Sequence, residues 1–144
     1  MKNIYFLTLI LISTLKLSAQ DIKNSLYKGT LNNQSITLYL KQQPNPCGGG
    51  TLPLYEGIYQ YASGKNWIEL SVSNNAKENL CLAEVNFTGV LILKKTVNGM
   101  EGIWISPDAK TQHKVVLKKQ PLTPKQKEEM EVNLERTHYE NNDC

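Results

Sequence analysis

Short runs of alternating apolar and polar residues cover most of the chain between positions 27 and 119. Alternation with a period of two is typical of β-strands that bury one face, because successive side chains point to opposite sides of a sheet. Clusters of Asn, Gly, Pro and Asp, which favour tight turns, separate these runs. The pattern predicts eight strands, at 27–31, 36–40, 54–61, 68–72, 80–85, 88–96, 101–106 and 113–119.

The connections between the runs predict how the strands are joined. Most are brief, and Asn98-Gly99 is a dipeptide typical of two-residue hairpins. Residues 42–53 form the one long connection, where three prolines and three consecutive glycines exclude a regular element. We therefore expect an all-β fold, an eight-stranded antiparallel up-and-down barrel, because closure removes the exposed edges of the sheet. A two-sheet sandwich is the alternative, and the absence of a long crossover disfavours it.

Glycine–aromatic spacing also indicates a curved sheet. Four glycines lie two residues from an aromatic residue and would share its face: the pairs are Tyr27/Gly29, Gly57/Tyr59, Phe87/Gly89 and Gly102/Trp104. Glycine inside a strand marks a bend or a close approach of backbones, and a neighbouring ring can fill the space. In the third strand, one face carries Tyr55, Gly57, Tyr59 and Tyr61. In the second, Ile36, Leu38 and Leu40 are expected to point inwards, with Thr37, Tyr39 and Lys41 outwards.

These motifs on successive hairpins resemble those of the calycin-like barrels. They are Tyr-x-Gly, Gly-x-Tyr-x-Tyr, Gly-x-x-x-Leu and Gly-x-Trp, and the resemblance spans residues 26–119. That group includes avidins, lipocalins and small exported bacterial barrel domains without an assigned activity. The resemblance implies a fold rather than a ligand. Trp67 and Trp104 do not occupy the tryptophan positions of either avidins or lipocalins, so no ligand residues are carried over.

The period changes after the last strand. Thr123 followed by Pro124 is a typical helix start, with threonine as the cap and proline in the first turn. The apolar stripe of this helix is thin, essentially Met130 and Leu134. Strands six and seven carry a second apolar face, made by Val90, Ile92, Ile103 and Ile105. We expect the helix to pack loosely on the barrel and cover that face, which a homodimer could cover equally well.

The first residues predict an export signal. Lys2 precedes an apolar run at 4–12, and Leu17-Ser18-Ala19 matches a cleavage site before Gln20. The run is shorter than the roughly 20 apolar residues of a spanning helix. The predicted organisation is therefore a signal peptide at 1–19, a barrel domain at 20–121 and a helix with a tail at 122–144. A secreted or periplasmic protein without a membrane partner after cleavage is expected.

Charge and cysteine content narrow the classes of function. Loss of Lys2 and Lys16 with the signal lowers the net charge from +3 to +1, so no nucleic-acid partner is expected. The three cysteines are Cys47, Cys81 and Cys144. Export permits a disulfide, and we expect Cys47–Cys81; in the alternative the thiols stay reduced and Cys81 is a small buried residue. The cysteine spacing matches no zinc site, and neither a metal nor a cofactor is expected.

The chain shows no recognisable catalytic constellation. It has no G-x-S-x-G, H-E-x-x-H or phosphate-loop motif, and no catalytic residue is assigned. Glu84 shares the inward phase of Leu80 and Leu82, and we expect it to lie at the rim of the barrel in contact with water. The candidate ligand-binding residues are Tyr55, Tyr59, Tyr61, Glu84 and Trp104. Their rings could line a cavity, although in so small a barrel they are expected to fill it.

The function predicted from these features is that of an exported, non-enzymatic β-barrel binding protein. It would recognise either a small molecule at the mouth of the barrel or a partner through the loop at 42–53. In that loop the candidate contact residues are Asn45, Gly48, Gly49 and Gly50. The alternative is a secreted inhibitor of a hydrolase such as lysozyme, with the loop entering the cleft of the enzyme.

Overall fold

The computed structural model of the chain describes residues 21–47 and 52–142. Its elements are β1 (Lys23–Leu31), β2 (Gln34–Gln43), β3 (Leu54–Tyr61), β4 (Ile68–Asn74), β5 (Asn79–Glu84), β6 (Val90–Thr96), β7 (Gly99–Ile105), β8 (Gln112–Gln120) and α1 (Pro124–Asn142). Each strand pairs antiparallel with the next, and β1 also pairs with β8. The sheet is therefore a closed up-and-down barrel, which confirms the predicted fold and excludes the sandwich.

Side chains from all eight strands fill the interior. Leu38, Leu82, Leu91 and Val115 are fully buried at its centre. Tyr59 is buried with them, and Tyr55 and Tyr61 pack against the same cluster, so the predicted inward face of β3 is confirmed. The inward phase of β2 is also as expected. A barrel of eight strands is just wide enough for such a core.

The glycines mark places where neighbouring strands come too close for a side chain. A Cβ at Gly102 would overlap the Ile92 carbonyl oxygen, and one at Gly29 would overlap the Val116 carbonyl oxygen. Three of the four predicted glycine–aromatic pairs lie within strands. The fourth is wrong, because Phe87 lies in a short 3₁₀ turn and is 59 % exposed, outside the barrel lining.

Two hairpins illustrate how turn residues act here. Asn32 and Asn33 have φ angles of 49° and 62°, the left-handed conformation that a type I′ turn requires. The turn before β7 consists of Val97 and Asn98, one residue earlier than the predicted Asn98-Gly99. Gly99 instead begins β7, and a Cβ there would overlap the carbonyl oxygen of Leu117.

Helix α1 begins with a capping box. Thr123 Oγ1 accepts a hydrogen bond from the Gln126 amide at 3.2 Å, and Gln126 Oε1 accepts one from the Thr123 amide at 3.0 Å. The cap predicted at Thr123 is thus observed. Among the described residues, no helix has the length and apolar character needed to cross a bilayer.

The helix packs on the outer faces of β1, β2, β3 and β4, and not on β6 and β7 as expected. Met130 and Leu134 are buried against Leu26, Tyr39 and Ile58. Tyr39 does face outwards, but α1 covers it completely, and its hydroxyl donates to Glu131 at 2.7 Å. The sequence pattern misses this site because the buried partners are single outward residues of strands that also bury their inner face.

The outer face of β6 and β7 stays uncovered by the described residues. Ile92 is 45 % exposed, while Val90, Ile103 and Ile105 are half-buried by their strand neighbours. Cross-strand contact therefore reduces the exposure of this face without the helix.

The predicted disulfide is wrong. Cys47 and Cys81 are both free thiols, and Cys81 is exposed rather than buried, because it points outwards from β5. Alternation explains this orientation, since Leu80 and Leu82 on either side point into the core. The predicted signal peptide at 1–19, the glycines at 48–50 and Cys144 lie outside the described residues.

The end of α1 is held to the barrel by a contact that depends on pH. His138 Nδ1 lies 2.6 Å from Glu69 Oε1, and Asn141 donates to the other Glu69 oxygen at 2.9 Å. The hydrogen bond and the negative charge of Glu69 raise the pKa of His138 above its usual value. A raised folded-state pKa means that the stabilisation is fully present below the unfolded value of about 6.5 and is lost as the pH rises through the folded value.

We expect amide protection in the last turn of α1 to fall as the pH rises above about 6.5, after correction for the intrinsic exchange rate. The effect is small, because the His138 side chain is 66 % exposed and water screens the pair. Hydrogen exchange of the wild type and of His138→Gln measures it. Equal pH dependence in both proteins would contradict the assignment to this pair.

Candidate functional site

The candidate residues divide between the two ends of the barrel. One end holds Tyr59, Glu84, Thr88 and Trp104, which we call the Glu84 cluster. The opposite end, where β2 leads into β3, holds Lys23, Gln42, Tyr55, Lys95 and Lys119, which we call the basic mouth. The structure thus brings Tyr59, Glu84 and Trp104 together and places Tyr55 at the other end.

In the Glu84 cluster, three donors converge on one buried carboxylate. Glu84 Oε1 accepts hydrogen bonds from the Tyr59 hydroxyl at 2.5 Å and from Trp104 Nε1 at 2.7 Å. Its Oε2 accepts from Thr88 Oγ1 at 2.6 Å. Glu84 is 6 % exposed, so the expectation of a solvated rim position is wrong. The strands alone would put it near water, but the loop that follows β5 folds back over it.

That loop adopts a backbone conformation that few side chains tolerate. Asn86 and Phe87 have φ angles of 70° and 55°, in the left-handed region. The resulting reversal lets the Gly89 carbonyl accept the Glu84 amide at 2.9 Å and brings Thr88 within reach of the carboxylate. A Cβ at Gly89 would overlap the Trp104 indole, so glycine there makes room for the ring.

The chemistry of this cluster is that of a satisfied structural network. Burial raises the pKa of the Tyr59 hydroxyl, and its hydrogen bond to Glu84 raises it further, so the phenol keeps its proton. Tyr61 packs edge-on against Tyr59, with ring centroids 5.5 Å apart. His113 stacks on Trp104 at the same separation. The cluster links β3, β5 and β7 through one buried carboxylate.

At the basic mouth, the inward residues enclose a cavity of about 440 Å³. Its floor is apolar, formed by Tyr27, Leu40 and Met100. Cavities of a few hundred Å³ with a few polar groups are typical of small-molecule sites. The register explains the position, because Gln42 pairs with Tyr55 and Lys95 with Met100.

A row of hydrogen bonds crosses one side of this cavity. The Tyr55 hydroxyl donates to Gln42 Oε1 at 3.0 Å and accepts from Lys95 Nζ at 2.9 Å. The same ammonium lies 5.3 Å from the centroid of the Tyr55 ring. The three side chains therefore fix one another, and the position of the Lys95 charge is set by its neighbours.

Sequence reasoning assigned Tyr55 to a ligand site but missed its partners. Lys95 follows Leu91 and Leu93 on the inward phase of β6, so the alternation of the strand already indicates that Lys95 points into the barrel. The adjacent Lys94 obscures it, because paired lysines at the end of a strand usually indicate a solvated terminus. Gln42 was missed because β2 continues to Gln43, two residues into the predicted loop. Thr88 was missed because the residues before β6 form a turn.

The long connection leaves and re-enters the barrel at the basic mouth. Of its candidate contact residues, Asn45 is described: it is half-buried, and its Oδ1 accepts the Cys47 amide at 3.0 Å. Asn45 lines a neighbouring surface cavity of about 400 Å³ together with Asp21, Lys23 and Gln42. The residues on both sides of this connection thus contribute to the same end of the molecule.

Within residues 21–47 and 52–142, no group of three or more His, Cys, Asp or Glu side chains could hold a metal ion. Comparison of the chain with protein-family models, with curated proteins and with solved structures gives no match. Any function must therefore be inferred from the residues of the barrel themselves.

Proposed function

We propose that the protein is an exported, non-enzymatic binding barrel of the calycin-like type, which takes a small molecule at the basic mouth. One observation carries the proposal: a cavity of about 440 Å³ with an apolar floor and the Gln42–Tyr55–Lys95 row on its wall. A rigid closed sheet supports these three side chains, so the site is formed before a ligand arrives. The Glu84 cluster supports the non-enzymatic part, because its carboxylate is buried and both of its oxygens accept hydrogen bonds from protein side chains.

The proposal is tested by filling the cavity without changing its charge. Gln42→Trp places a large ring among the inward residues of the mouth. Thr30→Trp places the same ring on the exposed outer face of β1 and serves as the matched control. Ligand-observed NMR with a library of charged and neutral fragments measures binding to the wild type and to both variants.

We expect a subset of fragments to bind the wild type and Thr30→Trp, and to lose binding to Gln42→Trp. Thermal unfolding confirms that Gln42→Trp is folded; if it is not, Tyr55→Phe replaces it as the mouth variant. Absence of any fragment bound to the wild type, or equal binding to the filled variant, would refute a ligand site at the mouth.

A further inference from the structure

The charges of the basic mouth are of one sign. Three of the side chains that line it are lysines, Lys23, Lys95 and Lys119. No Asp or Glu from the described part of the chain lines the same cavity. Asp21 lines the adjoining surface cavity together with Lys23, so this rim lysine has a carboxylate nearby. Lys95, deeper on β6, has no Asp or Glu among the residues that line its cavity.

Lys95 is half-buried, and among the described residues its ammonium has a phenol as acceptor and no carboxylate within ion-pair distance. The ammonium donates a hydrogen bond to the Tyr55 hydroxyl at 2.9 Å. The described ion pairs involve Lys41, Lys110 and His138, and none involves Lys95. A charge that is partly removed from water without a partner costs free energy. A lysine on an outer wall would avoid that cost by extending into solvent.

The Tyr55 hydroxyl is oriented so that its proton points to Gln42 and its oxygen faces the Lys95 ammonium. Because Tyr55 donates its proton to Gln42, its oxygen can accept from Lys95. An ammonium has three donors, so two remain for a group inside the cavity. An anionic group there would supply the missing counter-charge.

The depth of the cavity limits the size of the ligand. Below the floor of Tyr27, Leu40 and Met100, the barrel is filled by Leu38, Leu91 and Val115, each fully buried. A long acyl chain has no space to enter, whereas a short apolar body can rest on the floor. The cavity therefore fits an anionic group at its wall with a compact apolar part beneath it.

We propose that the basic mouth binds a compact organic anion, whose carboxylate or phosphate group pairs with Lys95 while its short apolar body packs on Tyr27, Leu40 and Met100. This inference rests on the proposed function, since it names the class of ligand for the same site. Lys23 and Lys119 at the rim increase the rate of capture through their charge.

The test compares matched probes of similar size and different charge. Calorimetric titrations use benzoate, phenyl phosphate, neutral benzamide and cationic benzylamine, with dodecanoate as the long-chain probe. Lys95→Met retains the length of the side chain and removes its charge. Lys28→Met is the control, because it removes one charge from the exposed outer face of β1, away from the cavity.

We expect the wild type to bind benzoate or phenyl phosphate at least about tenfold more tightly than benzamide and benzylamine. Lys95→Met should lose at least about tenfold, and Lys28→Met should stay within about twofold. Binding should weaken as salt rises from about 50 to about 500 mM. Comparison of the two anions tells a carboxylate ligand from a phosphate ligand, and dodecanoate should gain nothing from its length.

The outcomes separate the two proposals. If neutral or cationic probes bind the wild type as well as the anions do, and Gln42→Trp abolishes that binding, the mouth is a ligand site and the anion inference is wrong. If Lys95→Met binds benzoate and phenyl phosphate as the wild type does, the inference is also wrong. If no probe or fragment binds the wild type, both proposals fail. Should Lys95→Met not fold, the salt dependence of the wild type decides.

Discussion

Glu84→Ala is expected to lower the free energy of unfolding by about 3 to 5 kcal/mol, the largest effect of any single polar truncation in the barrel. The substitution removes the acceptor of the Tyr59 hydroxyl and of the Trp104 indole N–H, both of which point into the packed interior. Buried donors left without an acceptor cost more than the lost bonds were worth. In a chain of this size the melting temperature should fall by about 10 to 20 °C.

Chemical denaturation measures this change, with Glu84→Gln as the matched control. Glutamine keeps one carbonyl acceptor and nearly the same volume, so it should lose clearly less than alanine. The double variant Glu84→Ala/Tyr59→Phe removes the hydroxyl that alanine strands, and should be more stable than the sum of the single effects predicts. A Glu84→Ala protein within about 1 kcal/mol of the wild type would show that the network contributes little.

Gly102→Ala is expected to destabilise the barrel by about 3 kcal/mol or more, although it adds one methyl group. A Cβ at Gly102 would overlap the Ile92 carbonyl oxygen and lie 2.9 Å from the carbonyl carbon of the same residue. Both atoms belong to the backbone of β6, and their displacement would disturb the ladder between β6 and β7. The sheet cannot relax locally, because a closed barrel fixes the spacing of every strand.

A graded series keeps this prediction measurable even if Gly102→Ala does not fold. At Gly64, in an exposed turn, the nearest atom to an added Cβ is the Tyr61 oxygen at 3.4 Å, and alanine should change stability by less than about 0.5 kcal/mol. At Gly57 the nearest atom is Leu40 Cδ2 at 2.7 Å, the end of a flexible side chain, so a loss of about 1 to 2 kcal/mol is expected. Equal stability of the Gly64 and Gly102 variants would contradict the close approach.

The two ends of the barrel differ in how completely their polar groups are paired. The Glu84 cluster closes one end with hydrogen bonds that are complete within the protein, so it contributes stability. At the other end, the Lys95 ammonium has one hydrogen-bond partner among the described residues, and there we propose the ligand site. Tyr55 and Tyr59 lie four residues apart on the same face of β3, yet Tyr55 belongs to the basic mouth and Tyr59 to the Glu84 cluster.

For helix α1, the sequence predicts the starting residue correctly but not the surface on which the helix packs. Thr123 and Pro124 predict the start of α1 to the residue, because capping depends on neighbours in sequence. Its docking site depends on Leu26, Tyr39 and Ile58, which are distant in sequence and come together only when β1, β2 and β3 pair. The apolar face of β6 and β7 is the more obvious site in the sequence, yet cross-strand packing already half-covers it.

The disulfide prediction failed for a related reason. Cys81 belongs to an alternating strand, and alternation correctly implies that it faces away from Leu80 and Leu82. Expecting it to be buried, or to reach Cys47, required knowledge of which loop passes that face. The spacing of the cysteines along the chain does not indicate which loop lies near that face.

By itself, the sequence determined the fold class, the number and order of strands, the inward phase of β2 and β3, and the helix start, since each depends on period, turn chemistry or capping within a few residues. The tertiary structure decided that Glu84 is buried under its own loop, that α1 covers Tyr39, and that Gln42, Tyr55 and Lys95 meet at one mouth. These outcomes depend on register and closure, which bring together side chains from strands that are far apart in the chain. Alternation within a strand determines which face a side chain lies on, and closure of the barrel determines which side chains it contacts there.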